Sequence, residues 1–183
     1  SLFLETVNPK INYKDIIIPA KNIKVYINFT SVIKSEPKIK KIIFKLDQMD
    51  VEQLKKISTT LKPSNFTSYV YNNITQGKLN TELEVYLNDQ NLFANFIARG
   101  SVSNLNTKIK KDINFKKIKF NFFADKTDVL IKNFSGELGP IKINEGDLKL
   151  KLFPEISLES SFKSRAKYKN NSSKYKNLLK NFK

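Results

Sequence analysis

Residues 114–125 read NFKKIKFNFFAD, with lysine interleaved with phenylalanine. Two architectures produce such a stretch. A nucleic-acid platform sets lysines against phosphates and aromatic rings against bases on one shared surface. A half-buried strand sends the two kinds of side chain to opposite surfaces, because successive strand residues alternate. From Lys117 onward the alternation decides. Ile118, Phe120, Phe122 and Ala124 fall on one side; Lys117, Lys119 and Asn121 fall on the other, where Phe123 is the one aromatic neighbour. The alternation slips at Lys116, so a bulge or strand start is expected there. The glycines of an RNP1 signature are missing from the stretch. It reads as a one-sided β-strand.

The same period-two pattern runs through most of the chain. In residues 21–33, Ile23, Val25, Ile27 and Phe29 oppose Lys24, Tyr26 and Asn28. In residues 77–89, Leu79, Leu83, Val85 and Leu87 oppose Lys78, Asn80, Glu82, Glu84 and Asn88. A turn at NDQN leads into a stretch where Phe96, Ala98, Gly100 and Val102 share a side. Leu148, Leu150 and Leu152 alternate with Lys149 and Lys151, and after Pro154 the stripe resumes at Ile156, Leu158 and Phe162. These are half-buried antiparallel strands, about nine or ten of them.

Two helical passages interrupt them. Residues 50–62 open on Asp50 as N-cap and place Val51, Leu54, Ile57 and Leu61 on one stripe. Residues 64–76 open on Ser64 and stripe Phe66, Val70 and Ile74, with Gly77 suited to the C′ position. Pro63 separates the two. The predicted organisation is therefore strands over 1–49, a helical insertion over 50–76, strands over 77–165, and a polar exit over 166–183, helical or disordered.

Composition narrows the function. The 183 residues contain no cysteine and no histidine. Thiolate chemistry, imidazole metal sites and Ser-His-Asp triads are thereby excluded, and an enzyme is not expected. The net charge is +16, yet only Arg99 and Arg165 are arginine. Lysine, asparagine and isoleucine together reflect an AT-rich coding bias as much as selection for a polyanion, and fixed-geometry phosphate recognition favours arginine. Such a surface is still drawn to anionic membranes. Glu82 and Glu84 share a strand side, but a solvated face beside Lys78 explains them better than a glycosidase pair. The aspartates of ADKTD (124–128) suit a turn, and NEGD (144–147) suits a turn or bulge at Gly146 rather than a calcium loop. No metal and no cofactor is expected. No apolar run of 18 residues is present to span a membrane, and the start lacks a signal-peptide pattern. The chain is expected to be a segment of something longer.

The apolar stripes admit two architectures. Two sheets could bury them face to face in a sandwich. Alternatively, one meander of long strands, roughly ten residues or about 30 Å each, could curl into an open gutter. The residues alone leave both open.

Gly77 with Leu79, the run from Gly100 through Leu105, Phe134 with Gly136, and Gly146 with Leu148 together resemble the AsmA-like family, and most closely its YhdP-like branch. There, G-x-L opens a long strand, a later strand ends in G-x-V-x-N/D-L, and F-x-G and a further G-x-L follow. The resemblance covers about residues 64–165. It implies a mainly β fold: a long meandering antiparallel sheet curled into an open hydrophobic groove, with the short helical pair of about 50–76 inserted. It also implies an internal segment of a protein anchored in the bacterial inner membrane by a segment elsewhere in the polypeptide. Such proteins cross the periplasm and conduct phospholipids toward the outer membrane. The groove lining would be Leu79, Leu83, Val85, Leu87, Phe96, Ala98, Ile118, Phe120, Phe122, Leu148, Leu150, Leu152, Ile156, Leu158 and Phe162. The implied partners are phospholipid acyl chains, anionic membrane surfaces, and the rest of the same polypeptide at both ends, with no specific nucleic acid. A basic β-rich module for nucleic acid or another polyanion, and a purely structural β-domain, are the competing readings.

Overall fold

The structure, a computed structural model, describes residues 2–110, 113–152 and 155–166. The polar exit predicted for 166–183 lies, apart from its first residue, outside them. The strands are β1 (Leu2–Val7), β2 (Lys10–Tyr13), β3 (Ile16–Ile27), β4 (Ile39–Leu46), β5 (Met49–Asp50), β6 (Ile74–Leu87), β7 (Phe93–Lys110), β8 (Ile113–Ala124), β9 (Asp128–Leu138), β10 (Ile141–Lys151) and β11 (Ser157–Ala166). The helices are α1 (Phe29–Ile33), α2 (Val51–Thr60) and α3 (Asn65–Asn73). All eleven strands belong to one antiparallel sheet in the order β1-β3-β4-β6-β7-β8-β9-β10-β11, with β2 added to β3 and β5 to β6. The sheet does not close on itself. From β6 onward it is a plain meander, as the short turns between alternating segments require.

The helical pair lies outside the strand order, between β5 and β6. Its starts are set by two capping boxes. The Asp50 side chain accepts from the Gln53 N–H while Gln53 reaches back to the Asp50 N–H, and Ser64 and Thr67 do the same. The expected C′ glycine is a correction. Asn73 runs directly into β6, and Gly77 sits inside that strand, where a Cβ would press on Leu105. Phe29 is a second correction: β3 ends at Ile27, and Asn28 caps α1 by accepting from the Thr30 N–H. An asparagine side chain that satisfies a helix donor here outcompetes one more residue of strand.

Bulges bend the sheet. Asn104, Lys117 and Asn133, on three successive strands, all have positive φ, at 51°, 53° and 55°. Each coincides with a shift of register to a neighbouring strand. The slip expected at Lys116 thus falls one residue later. A bulge raises the local twist and bends its strand, so three on adjacent strands add curvature to this part of the sheet. At the turns, the Asp125 carboxylate accepts from the N–H groups of Thr127 and Asp128, which is the role its composition suggested.

Among the described residues, the sheet has no second layer covering it. Only Ala20, Met49, Val51, Val70, Ile118, Leu138 and Ile141 are buried hydrophobics among the described residues, and no side chain there is fully enclosed. A sandwich of this size would enclose many large side chains between its sheets. The helical pair covers part of one end, where the Tyr69 hydroxyl lies 2.7 Å from Thr107 Oγ1 and Lys14 Nζ donates to the Thr60 carbonyl at 2.8 Å.

Candidate functional site

Directly paired residues in an antiparallel ladder point to the same side, so the register assigns the faces. Leu83 pairs with Ala98, Val85 with Phe96, and Leu79 with Val102. Val102 pairs in turn with Phe120, and Gly100 with Phe122. Phe122 pairs with Ile131, which pairs with Leu148, and Leu150 pairs with Leu158. Leu87 and Ile118 follow by alternation along their strands. The same side extends through Ile42 and Phe44 to Val25 and Ile23. One apolar face therefore runs from β3 to β11.

Most of the expected lining residues on this face are half-buried, and Ile118 is buried. Leu158 is 63% exposed, and Phe162, opposite Gly146, is also exposed. Two residues stand apart from the ladder. Leu152 follows the end of β10 and is held by its N–H to the Thr127 carbonyl, and Ile156 precedes β11, 80% exposed.

The face has an aromatic half that the alternation pattern did not reveal. Phe134 lies at centroid distances of 5.5 Å from Phe115, 6.1 Å from Phe120 and 5.8 Å from Phe162. Glycines let these rings lie low. A Cβ on Gly136 would come within 2.7 Å of the Phe115 ring, and one on Gly146 would overlap the Phe162 ring. The result is an aromatic floor over β8–β11, with mostly aliphatic side chains, joined by Phe44 and Phe96, over β3–β7.

The opposite face is charged and partly paired. Cross-strand ion pairs join Lys24 to Glu5, Lys117 to Glu137, Lys132 to Asp147 and Lys163 to Glu145. Ile43, Ile97, Phe123 and Leu130 also lie on this side. Glu84 departs from its expected solvated setting beside Lys78. Its carboxylate is nearly buried, accepting from Lys41 Nζ at 3.0 Å and the Tyr86 hydroxyl at 2.8 Å, with Arg99 Nη2 at 3.0 Å. Arg99 also grips Glu82, so the two glutamates share one guanidinium. Lys41 Nζ sits over the Tyr26 ring at 4.9 Å. Partners 43 and 15 residues away in sequence could not be seen from the local pattern.

Burial pushes the Glu84 carboxyl up, but the Lys41 and Tyr86 hydrogen bonds and the nearby cations outweigh it and hold the group below its ordinary value. A carboxylate with a depressed folded-state pKa adds stability that is present above its unfolded value of about 4.3. That stability is lost as pH falls through the folded value. Glu84→Gln should therefore weaken the protein at neutral pH and leave its stability closer to wild type as the solution is acidified. Denaturant melts at pH 7 and below pH 4 check this; a gap of constant size would show that the Glu84 charge has no part in it.

No group of carboxylates suited to a metal is found among the described residues, and no helix there is long and apolar enough to cross a membrane. No family model, curated protein or solved structure matches this chain.

Proposed function

We propose that this chain is an internal segment of an AsmA-like, YhdP-like lipid conduit. Acyl chains would lie along the apolar face, while headgroups stay in water at its rim. The observation that carries this reading is the pairing of a continuous apolar face over β3–β11 with the lack of a covering second layer among the described residues. Apolar surface of that extent needs an occupant. Several cations of the charged face already pair with carboxylates on adjacent strands, which leaves fewer of them for a polyanion.

The energetics fit a passage better than a trap. Carrying a chain of about sixteen methylenes through water costs on the order of 10 kcal/mol, at about 0.8 kcal/mol per methylene. A half-buried floor of Leu83, Val85, Phe96, Phe120, Phe122 and Leu148 removes much of that cost. Because it is about as apolar as a bilayer interior, it would neither repel a chain nor hold it fast. The setting consistent with this role is the periplasm, with the membrane anchor supplied by another part of the polypeptide and the sheet continued at its two open edges.

Native mass spectrometry of protein purified without detergent tests the reading. One or more bound phospholipids per chain are expected. A clean apo mass, unchanged after incubation with phospholipid vesicles, would overturn it.

A further inference from the structure

At the end of the sheet remote from α2 and α3, α1 and the tops of β3, β4 and β6 surround a hollow of about 410 Å3. Its apolar lining is Ile27, Phe29, Ile39 and Leu87, and its cations are Lys38 and Lys40. Lys40 sits at a break in the pairing of β4 with β3, where Lys41 faces Tyr26 and Ile39 faces Ile27, so Ile39 shares the apolar side with Ile27 and Lys40 is the extra residue between Ile39 and Lys41. Among the described residues, neither Lys38 nor Lys40 takes part in an ion pair, and Asp89 is the one carboxylate on the lining.

The backbone around these lysines is fixed from three directions. The Asn28 N–H donates to the Lys38 carbonyl at 2.9 Å, and the Lys38 N–H donates to Ser31 Oγ at 2.9 Å. The Ile39 N–H donates to Asn91 Oδ1, in the β6–β7 turn, at 3.0 Å. Ser31 itself is buried. A two-lysine hollow is thus built where the apolar face meets water.

From this geometry we infer that the hollow seats the phosphate of an anionic phospholipid, whose acyl chains descend over Ile42, Val85 and Leu83. The inference rests on the lipid-carrying role proposed above. Ammonium groups bind phosphate as point charges, and the apolar lining directly below them matches the junction between headgroup and chain. The polar-face hollow beside Lys21 and Lys45 is a weaker candidate, because its Arg99 is already committed to Glu82 and Glu84.

The test loads the protein from vesicles containing either phosphatidylglycerol or diacylglycerol and counts bound lipid by native mass spectrometry. Wild type should prefer phosphatidylglycerol. Lys38→Gln with Lys40→Gln should weaken that preference about fivefold per lysine while leaving diacylglycerol uptake in place. Lys149→Gln with Lys151→Gln, on β10 away from the hollow, should leave it intact. Equal loss in both double variants, or no loss in the first, overturns the headgroup seat while the conduit reading stands. If wild type takes up neither lipid, the conduit reading itself fails. A third arm adds glycerol phosphate without lipid. Lysine-dependent binding as tight as that of phosphatidylglycerol would show a site for small soluble phosphates and overturn the lipid assignment.

Discussion

Gly100→Ala should destabilise the protein by about 2 kcal/mol, within the range for overpacked sites. That corresponds to a fall in Tm of roughly 4–8 °C for a chain of this length. Gly100 lies between Thr81 on β6 and Phe122 on β8. A Cβ there would overlap the Asn80 carbonyl oxygen and come within 3.0 Å of the Phe122 ring. The oxygen belongs to backbone in the middle of the sheet, so relief requires β6 and β7 to separate. Gly146→Ala is the informative contrast. Its obstacle is the Phe162 ring, which lies on the edge strand β11, is 38% exposed and can turn away. That change should cost less than about 1 kcal/mol. Thermal melts of the two variants check the difference. Equal losses would mean that strand position does not govern how these glycines are used.

The contrast bears on what could be read from sequence. Period two was legible wherever a strand is regular, as in β6 from Leu79 to Leu87, β7 from Phe96 to Val102, and β10 from Leu148 to Lys151. The two long helices were legible through Asp50 and Ser64, because a cap is a local event. The pattern was lost where a bulge resets it. In β9, Ile131 and Phe134 share a side at a spacing of three because Asn133 takes a left-handed conformation between them. The same reset at Lys117 hid Phe115, so the ring cluster around Phe134 was missed. β4 reads IKKIIFKL; its Ile43 lies on the charged side opposite Glu84, and its register to β3 shifts at Lys40. No alternation was visible there. The Glu84 environment was illegible for a different reason, since Lys41 and Arg99 reach it only through strand pairing. Whether the stripes close as a core was equally hidden. Period two reports that one side is apolar, and the layer count follows only from how all eleven strands join.

Phe120→Asp should leave the sheet folded and reduce bound phospholipid by more than tenfold. Phe120 pairs with Val102 on the apolar face and is half-buried, with its ring stacked at 6.1 Å on Phe134. In a closed core an aspartate at this position would be dehydrated on folding, at a cost of several kcal/mol added to the lost packing. Loss of the fold would then follow, given the usual margin of about 5–15 kcal/mol. On a face without a second layer, water reaches the carboxylate, and only the packing against Phe134 and its neighbours is lost. The dehydration cost arises instead when an acyl chain covers the site, so it is charged against lipid binding. Lys119→Asp, one residue away, places the same charge on the opposite side, exposed and next to Ser135. It should alter neither bound lipid nor the cooperativity of unfolding. Paired measurements of Tm and bound phospholipid on the two variants decide the matter. Collapse of the Phe120→Asp fold would make the apolar face a sealed core and end the conduit reading. Unchanged lipid in a folded Phe120→Asp protein would move the lipid path elsewhere. Lipid loss confined to that variant would tie the path to the aromatic half of the face, where Phe115, Phe120, Phe134 and Phe162 meet.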